Sequence, residues 1–398
     1  MGKNILMISG EASGDLHGSS LIRALKRLAP SVSIKGMGGE KMMGEGLTGI
    51  DSTRLSVVGI VEVFSKFAGI IKAFSRLKRL LNDEKFDCVV LIDYPDFNLR
   101  FAAEAKKKGV PVVYYISPQV WAWRKKRIYR IARLVDRMLV VFPFEEPIYR
   151  EAGVQVEYIG HPLTTEAVCA VTKEEARQEL GVAPDKTTVA ILPGSRTEEI
   201  KRHIRPMLDA VALVSERLGG GKSVEALLPA SSGIEDGFLG ELLKGSRVTV
   251  KVVRKKTYTA LRASDAAVVS SGTATLETAL IGTPMVIAYI LSPISYFLAR
   301  MLVGVKFIGL PNIVAGRSVV PELIQKDATA ENIARELLDI LKNPSRRKAI
   351  LQGYEEIKRG LSAGAPPDST NGPDGGSAPE RAARAVYRLI EAKGVAAD

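Results

Sequence analysis

The residues of this chain that could do chemistry sit in five short segments, each at or near the exit of an apolar run. The first is Ser9-Gly10-Glu11-Ala12-Ser13-Gly14-Asp15. Glu11, Ser13 and Asp15 offer carboxylates and a hydroxyl suited to sugar hydroxyls, and Ser13 or Asp15 could instead cap the helix that follows. The spacing is not GxGxxG, so a dinucleotide fingerprint is not supported. His17, one turn further on, is a candidate base. The second is Ile92-Asp93-Tyr94-Pro95-Asp96-Phe97-Asn98. Asp93 ends a buried run, where desolvation would raise its pKa toward that of a working general base. Pro95 stops the strand, and Asp96 could cap the next helix. The third is Leu192-Pro193-Gly194-Ser195-Arg196. Gly194 lets the backbone approach a ligand, Ser195 can donate, and Arg196 can fork onto phosphate oxygens. No Walker lysine follows, so this is not a P-loop. The fourth is Ser270-Ser271-Gly272-Thr273-Ala274-Thr275-Leu276-Glu277. Small and hydroxyl residues opening a helix form an anion site, with Glu277 placed to chelate ribose. The fifth, Leu310-Pro311-Asn312-Ile313, offers Asn312 to a base edge or a phosphate. Taken singly, each segment also reads as plain turn and cap chemistry. The Gly194 and Gly272 loops, falling in the same half, together describe a nucleotide diphosphate site.

No metal clamp is evident. Asp93-x-x-Asp96 differs from the Asp-x-Asp of metal-dependent sugar transferases, and the three histidines are far apart. Arg196 and a helix N-terminus could neutralise a departing diphosphate instead. Neither a metal nor another cofactor is expected.

The elements that must position these residues alternate strand and helix. Asn4–Ser9, Asp87–Ile92, Pro111–Ile116, Met138–Phe142 and Val156–Ile159 read as strands, with helices over Leu16–Leu28, Phe101–Lys108 and Ile128–Leu134. The pattern restarts after Gly160-His161-Pro162. Strands are expected at Thr188–Leu192, Ser223–Leu228, Val248–Val253, Ala266–Val269 and Met285–Ile290. Helices are expected at Ile204–Leu218, Thr257–Ala263, Thr275–Ile281 and Ala330–Lys342. Near-continuous Val/Ile/Leu strands imply parallel sheets covered on both faces. The expected fold is therefore α/β, with two doubly wound Rossmann-like domains facing an interdomain cleft. The boundaries expected are 1–165, 166–350, a Gly/Pro-rich flexible segment over 351–379, and a helix over 380–398 that docks on the body.

The whole chain has 398 residues, 46% hydrophobic and 25% charged, ordinary for a globular protein. Its 56 Lys+Arg against 44 Asp+Glu give a net charge of +12, which points to an anionic partner. Cys88 and Cys169 cannot form a disulfide framework. No apolar run reaches the roughly 18–20 residues of a membrane span, and the start of the chain lacks a signal-peptide cleavage pattern. A cytoplasmic protein is expected. Val63 to Leu81 repeats apolar residues at i, i+3, i+4 among cations. Phe64, Phe67, Ile71 and Phe74, with Lys66, Lys72 and Arg76, fit an interfacial membrane helix on anionic lipid, and fit equally a helix packed on the sheet with a basic edge. Trp121-Ala122-Trp123-Arg124-Lys125-Lys126-Arg127 could stack on nucleic acid, but no nucleic-acid module surrounds it, and a surface helix start is the simpler reading.

At these residues the chain resembles the bacterial lipid-A-disaccharide synthase family. The matching segments are Ser9 to Asp15, Val58-Gly59-Ile60-Val61-Glu62-Val63, Ile92 to Asn98, Ser117-Pro118-Gln119-Val120-Trp121-Ala122-Trp123-Arg124, Tyr158-Ile159-Gly160-His161-Pro162, Leu192 to Arg196, Ser271 to Glu277, and Leu310-Pro311-Asn312. They span residues 4 to 345, and the tail from Gly360 is not matched. The resemblance implies a two-domain GT-B glycosyltransferase. Its donor would be UDP-2,3-diacylglucosamine and its acceptor 2,3-diacylglucosamine 1-phosphate, giving a β-1,6-linked disaccharide 1-phosphate and UDP with inversion. It implies Asp93 as catalytic base. Gly194, Ser195, Arg196, Ser271, Gly272, Thr273, Glu277 and Asn312 would lie on the nucleotide. Glu11, Ser13, Asp15, Asp96 and Asn98 would lie on the sugar side. Acylated substrates imply work at the anionic inner face of the cytoplasmic membrane, as a peripheral protein, and no nucleic-acid partner. The rivals are another UDP-sugar GT-B enzyme, such as a UDP-N-acetylglucosamine transferase or 2-epimerase, and a non-catalytic basic membrane-binding protein.

Overall fold

The structure, a computed structural model, describes residues 2–52, 62–121, 126–218, 224–231, 233–292, 296, 306–362 and 376–395, with backbone alone for 12, 62–68, 394 and 395. The chain forms two compact units, Met1–Pro162 with Leu361–Asp398, and Leu163–Gly360.

The first unit is built on β1 (Asn4–Ser9), β2 (Ser33–Gly38), β3 (Thr48–Asp51), β4 (Cys88–Ile92), β5 (Val112–Tyr115), β6 (Arg137–Val140) and β7 (Val156–Tyr158). They pair in the order β3-β2-β1-β4-β5-β6-β7, every pairing parallel. Helices cover both faces, so β1 and β4 are buried from end to end apart from the first residue of β1. This is why they read as unbroken apolar runs. Strands β2 (SIKGMG) and β3 (TGID) escape the sequence reading because glycine interrupts their apolar pattern.

The long helix Glu62–Asp83 packs through Ala73, Leu77 and Leu81. Phe74 joins this inner face, its ring edge-on to Phe97 at 5.4 Å and to Phe101 at 5.7 Å. Its expected membrane-facing position is thereby corrected, because the helical period carries it to the same side as Leu77 and Leu81. Ile71 points the other way and is 56% exposed, beside exposed Lys72 and Arg76. The side chains of Phe64, Lys66 and Phe67 lie outside the described residues.

The helix Ala378–Val395 packs within the first unit against helix Ala12–Leu28. It buries Ala382, Ala383, Val386, Leu389 and Ile390. Arg381 Nε donates to the Ile159 carbonyl at 2.9 Å, and Arg388 pairs with Glu157 at 2.6 Å. The stretch before it differs from expectation. A helix runs Pro344–Leu361, so the boundary placed at 350 falls inside regular structure. Its buried Ile350, Tyr354, Ile357 and Leu361 explain why.

The second unit contains β8 (Thr187–Leu192), β9 (Val224–Ala230), β10 (Thr249–Arg254), β11 (Ala266–Val269), β12 (Met285–Tyr289) and β13 (Glu322–Ile324). Their order is β10-β9-β8-β11-β12-β13, again all parallel. Strand β13 is three residues long, too short to carry a periodic signal.

In each sheet the strand order reverses once, between β1 and β4 and between β8 and β11. At such a switch point the connections leave to opposite faces and open a crevice at the carboxyl ends of the strands. Ser9 is registered with Ile92 across the first pair, and Leu192 with Val269 across the second. The Glu11 and Asp93 loops therefore flank one switch point, and the Gly194 and Gly272 loops flank the other.

Candidate active site

In the first unit, Asp93 and Tyr94 follow β4 with φ of 47° and 48°, a left-handed pair without glycine. Such a conformation persists only where the surroundings impose it. Here the Asp93 carbonyl accepts from Asn98 Nδ2 at 2.7 Å and from the Tyr114 hydroxyl at 2.6 Å. The Asp93 N–H donates to the Tyr115 carbonyl at 3.3 Å. The backbone is thus fixed by three hydrogen bonds, and the carboxyl itself accepts from the Tyr94 backbone. Burial pushes the Asp93 pKa up to about 6, and the Glu11 carboxylate adds to the rise. Gly10 is required nearby, because a Cβ there would collide with the Tyr94 ring.

Other candidates in this unit divide. Glu11 is exposed at the N-cap of helix Ala12–Leu28, and Ser13 is partly buried behind it. Asp96 is exposed and pairs with Arg127 at 2.5 Å. Two residues are corrected from ligand contacts to supports. Asp15 is buried, and its carboxylate accepts from the amides of Gly39 at 2.8 Å, Lys41 at 3.1 Å and Met42 at 3.0 Å, capping helix Glu40–Gly44. Asn98 is fully buried and ties the end of β4 through the Ile92 and Asp93 carbonyls. His17 is buried 6.0 Å from the His161 ring, whose pKa burial drives well below the usual value.

Sequence reasoning missed Glu145. It is 1% exposed, in the first turn of helix Glu145–Glu151. It accepts from Ser117 Oγ at 2.6 Å, Trp121 Nε1 at 3.1 Å and the Phe142 amide at 3.2 Å. Trp121 is thus held inward and lies edge-on to Phe144, and a helix spans Arg127–Leu134. A lone Glu before Glu146 carries no local signal of such burial.

In the second unit, Gly194 has φ of 124°, a conformation that favours glycine. The Ser195 amide donates to Glu199 Oε2 at 3.3 Å, and Arg196 pairs with Glu199 Oε1 at 3.2 Å. Arg196 is 71% exposed, so this pairing is weak and leaves the guanidinium facing solvent. Helix Thr197–Leu218 carries both Glu199 and buried His203, which bonds the Glu199 carbonyl through Nδ1 at 2.7 Å and accepts from the Ile290 amide through Nε2 at 2.8 Å. His203 carries the Nδ1 proton, and burial lowers its pKa. Neither Glu199 nor His203 was identified as a partner of this loop from sequence.

Gly272 has φ of 144° and precedes helix Thr273–Ile281, which carries no side-chain cap. Ser271 Oγ donates to the Ile308 carbonyl at 2.8 Å. Glu277 accepts from the Tyr258 hydroxyl at 2.7 Å. Asn312 is likewise corrected from a ligand contact to a support. It is fully buried, donates to the Val320 carbonyl at 2.9 Å and Glu322 at 2.8 Å, and accepts from the amides of Val319 at 2.7 Å and Val320 at 3.0 Å. All four hydrogen-bonding positions of the amide are spent on the fold.

Among the described residues no group of three His, Cys, Asp or Glu side chains is gathered as metal ligands, and no helix is long and apolar enough to cross a membrane. The apolar stretch Ile294–Leu310 lies largely outside the described residues.

Two parallel α/β units with loops gathered at their switch points define the class: a GT-B glycosyltransferase fold. A solved glycotransferase of kitacinnamycin matches with a TM-score of 0.60 at 15% identity, covering 98% of this chain and 99% of that one. A UDP-GlcNAc 2-epimerase from Neisseria meningitidis, bound to UDP-GlcNAc, matches with a TM-score of 0.59 at 12% identity, over 90% of this chain and 99% of its own. At such identities the likeness shows the fold alone. The model of the lipid-A-disaccharide synthetase family matches residues 5–365. A lipid-A-disaccharide synthase from Syntrophus aciditrophicus is 47% identical over 358 residues, 89% of this chain and 93% of the relative. The chain belongs to the lipid-A-disaccharide synthetase family and is a glycosyltransferase of lipid A biosynthesis. Neither a different UDP-sugar enzyme nor a non-catalytic binding protein is favoured.

Proposed function

We propose that this enzyme transfers the 2,3-diacylglucosaminyl group of its UDP derivative to the 6-hydroxyl of 2,3-diacylglucosamine 1-phosphate by direct displacement with inversion. Asp93 takes the hydroxyl proton as the oxygen attacks the anomeric carbon, and UDP leaves. The observation that carries this reading is the Asp93 turn: a carboxyl fixed at a switch point, its pKa raised to about 6 by burial and by Glu11. A carboxylate of that basicity is ionised at neutral pH yet accepts a proton more readily than an ordinary aspartate. Glu11, Ser13 and Asp96 line the acceptor side. Arg196, Ser195 through its hydroxyl, and the uncapped helix start at Gly272-Thr273 stabilise the departing diphosphate. Glu277 binds the ribose. Asp15, Asn98 and Asn312 support these loops from within.

The lipid substrates place the enzyme at the inner face of the cytoplasmic membrane. Exposed Ile71 beside Lys72 and Arg76 supports docking on anionic lipid by this face of helix Glu62–Asp83. Incubation with both lipid substrates, with and without EDTA, tests the reading. UDP and disaccharide are expected to form in equal amounts, and EDTA to leave the rate unchanged. Failure to form disaccharide refutes the substrate assignment.

A further inference from the structure

The exit of β5, beside the Asp93 turn, is also strained. Ile116 has φ of 65°, in the left-handed region where a β-branched side chain is rarely found. Its amide is held by the Leu139 carbonyl of β6 at 3.0 Å. The residue before it, Tyr115, supplies the carbonyl that receives the Asp93 N–H, and Tyr114 supplies the hydroxyl on the Asp93 carbonyl. The residues after it are gripped by one face of helix Glu145–Glu151. Glu145 takes Ser117 Oγ and Trp121 Nε1, and Tyr149, one turn further on, donates to the Pro118 carbonyl at 3.1 Å. The Phe142 amide ties the same carboxyl to the exit of β6.

We infer that Glu145 is a positioning residue for catalysis: by clamping Ser117 and Trp121 it holds the strained β5 exit that in turn holds Asp93. The inference rests on Asp93 being the base. Burying a carboxyl is costly, and burial pushes the Glu145 pKa up to about 7. Donors from two strand exits, Ser117 and Trp121 on one side and the Phe142 and Val141 backbones on the other, compensate it, and an apolar side chain there could not hold those exits together. Shifts of about 1 Å in a catalytic group cost on the order of a hundredfold in rate, so a clamp one strand away from the base matters without touching substrate.

The test compares Glu145→Gln, Ser117→Ala and Asp93→Asn with the wild-type enzyme. Turnover of the two lipid substrates, the acidic limb of the kcat/KM–pH profile and UDP affinity by calorimetry are measured. In Glu145→Gln the amide opposes an N–H to the Phe142 N–H, so kcat is expected to fall about tenfold or more. The acidic limb set by Asp93 is expected to move, with UDP affinity held. The charges that can act on that limb besides Asp93 are Glu11 and His17, and neither is altered. Ser117→Ala removes one donor without burying a new polar group and is expected to show the same pattern, weaker. It keeps the inference testable if Glu145→Gln does not fold. Unchanged kcat and an unmoved limb in both variants, with Asp93→Asn inactive, overturn the role of Glu145 alone. A loss of UDP affinity in step with kcat reduces Glu145 to a structural residue and also overturns it. Near-normal turnover by Asp93→Asn instead overturns the base assignment on which the inference rests.

Discussion

At the scale of single residues, the same polar types do opposite work. Asp93 and Asp15 both follow strands of one sheet, yet three amides consume the Asp15 carboxylate, while the Asp93 carboxyl has one backbone bond, from Tyr94, and is the one proposed to meet substrate. Asp93→Asn is expected to lower turnover by about 10²–10⁴-fold with the protein still folded, as steady-state kinetics and circular dichroism would report. A base must be unprotonated, so the wild-type kcat/KM should climb as pH rises through about 6 and then level. Arg196→Ala should weaken UDP binding by about tenfold, the scale of one charge-assisted contact, measured by calorimetry. Asn312→Ala should instead leave UDP affinity intact and cost about 3 kcal/mol of stability, because it strands buried amides and a carboxylate, read from denaturant unfolding. The place of Asp93 at a strand exit was legible because its signal is local: an apolar run, an acid, a proline. Asn312 was misread because a Pro-Asn pair looks the same whether the amide meets a ligand or residues Val319, Val320 and Glu322. Glu145 and Glu199 were illegible, since only the folded chain brings their partners to them.

At the scale of elements, the strands that carry the site were readable to within two residues, because buried parallel strands are continuous apolar runs, whereas helices Ala12–Leu28, Pro95–Lys107 and Thr197–Leu218 begin four to seven residues before the stretches expected from periodicity. What escaped were elements whose burial is not written as hydrophobicity: Gly-bearing β2 and β3, and three-residue β13. Helix Glu62–Asp83 shows the limit of periodicity. Its amphipathic period was plain, but which face is covered depends on Phe97 and Phe101 of a neighbouring helix. Ile71→Glu, on the exposed face, is accordingly expected to weaken binding to anionic vesicles severalfold without loss of stability, by co-sedimentation. Phe74→Ala should cost about 3 kcal/mol of stability through the cavity it leaves. Equal vesicle binding by Ile71→Glu and wild type would contradict the docking face.

At the scale of the whole molecule, a net charge of +12 first pointed to any polyanion. The structure distributes it. Many cations are engaged in pairs such as Lys35–Glu84, Lys106–Asp136 and Arg177–Asp265. Arg196 stands at a switch-point loop, and Lys72 and Arg76 stand beside exposed Ile71. Under the proposed function, the basic surplus serves a diphosphate and a lipid surface rather than nucleic acid. Two units with the same doubly wound plan each present one pair of loops at one switch point, which is the division of labour a two-substrate transferase needs. The most direct test is to supply UDP-2,3-diacylglucosamine and 2,3-diacylglucosamine 1-phosphate to the wild-type enzyme and to Asp93→Asn, quantifying UDP and disaccharide together. Equal yields of both are expected from the wild type and almost none from the variant. UDP without disaccharide, or a variant that turns over normally, would contradict the proposed function.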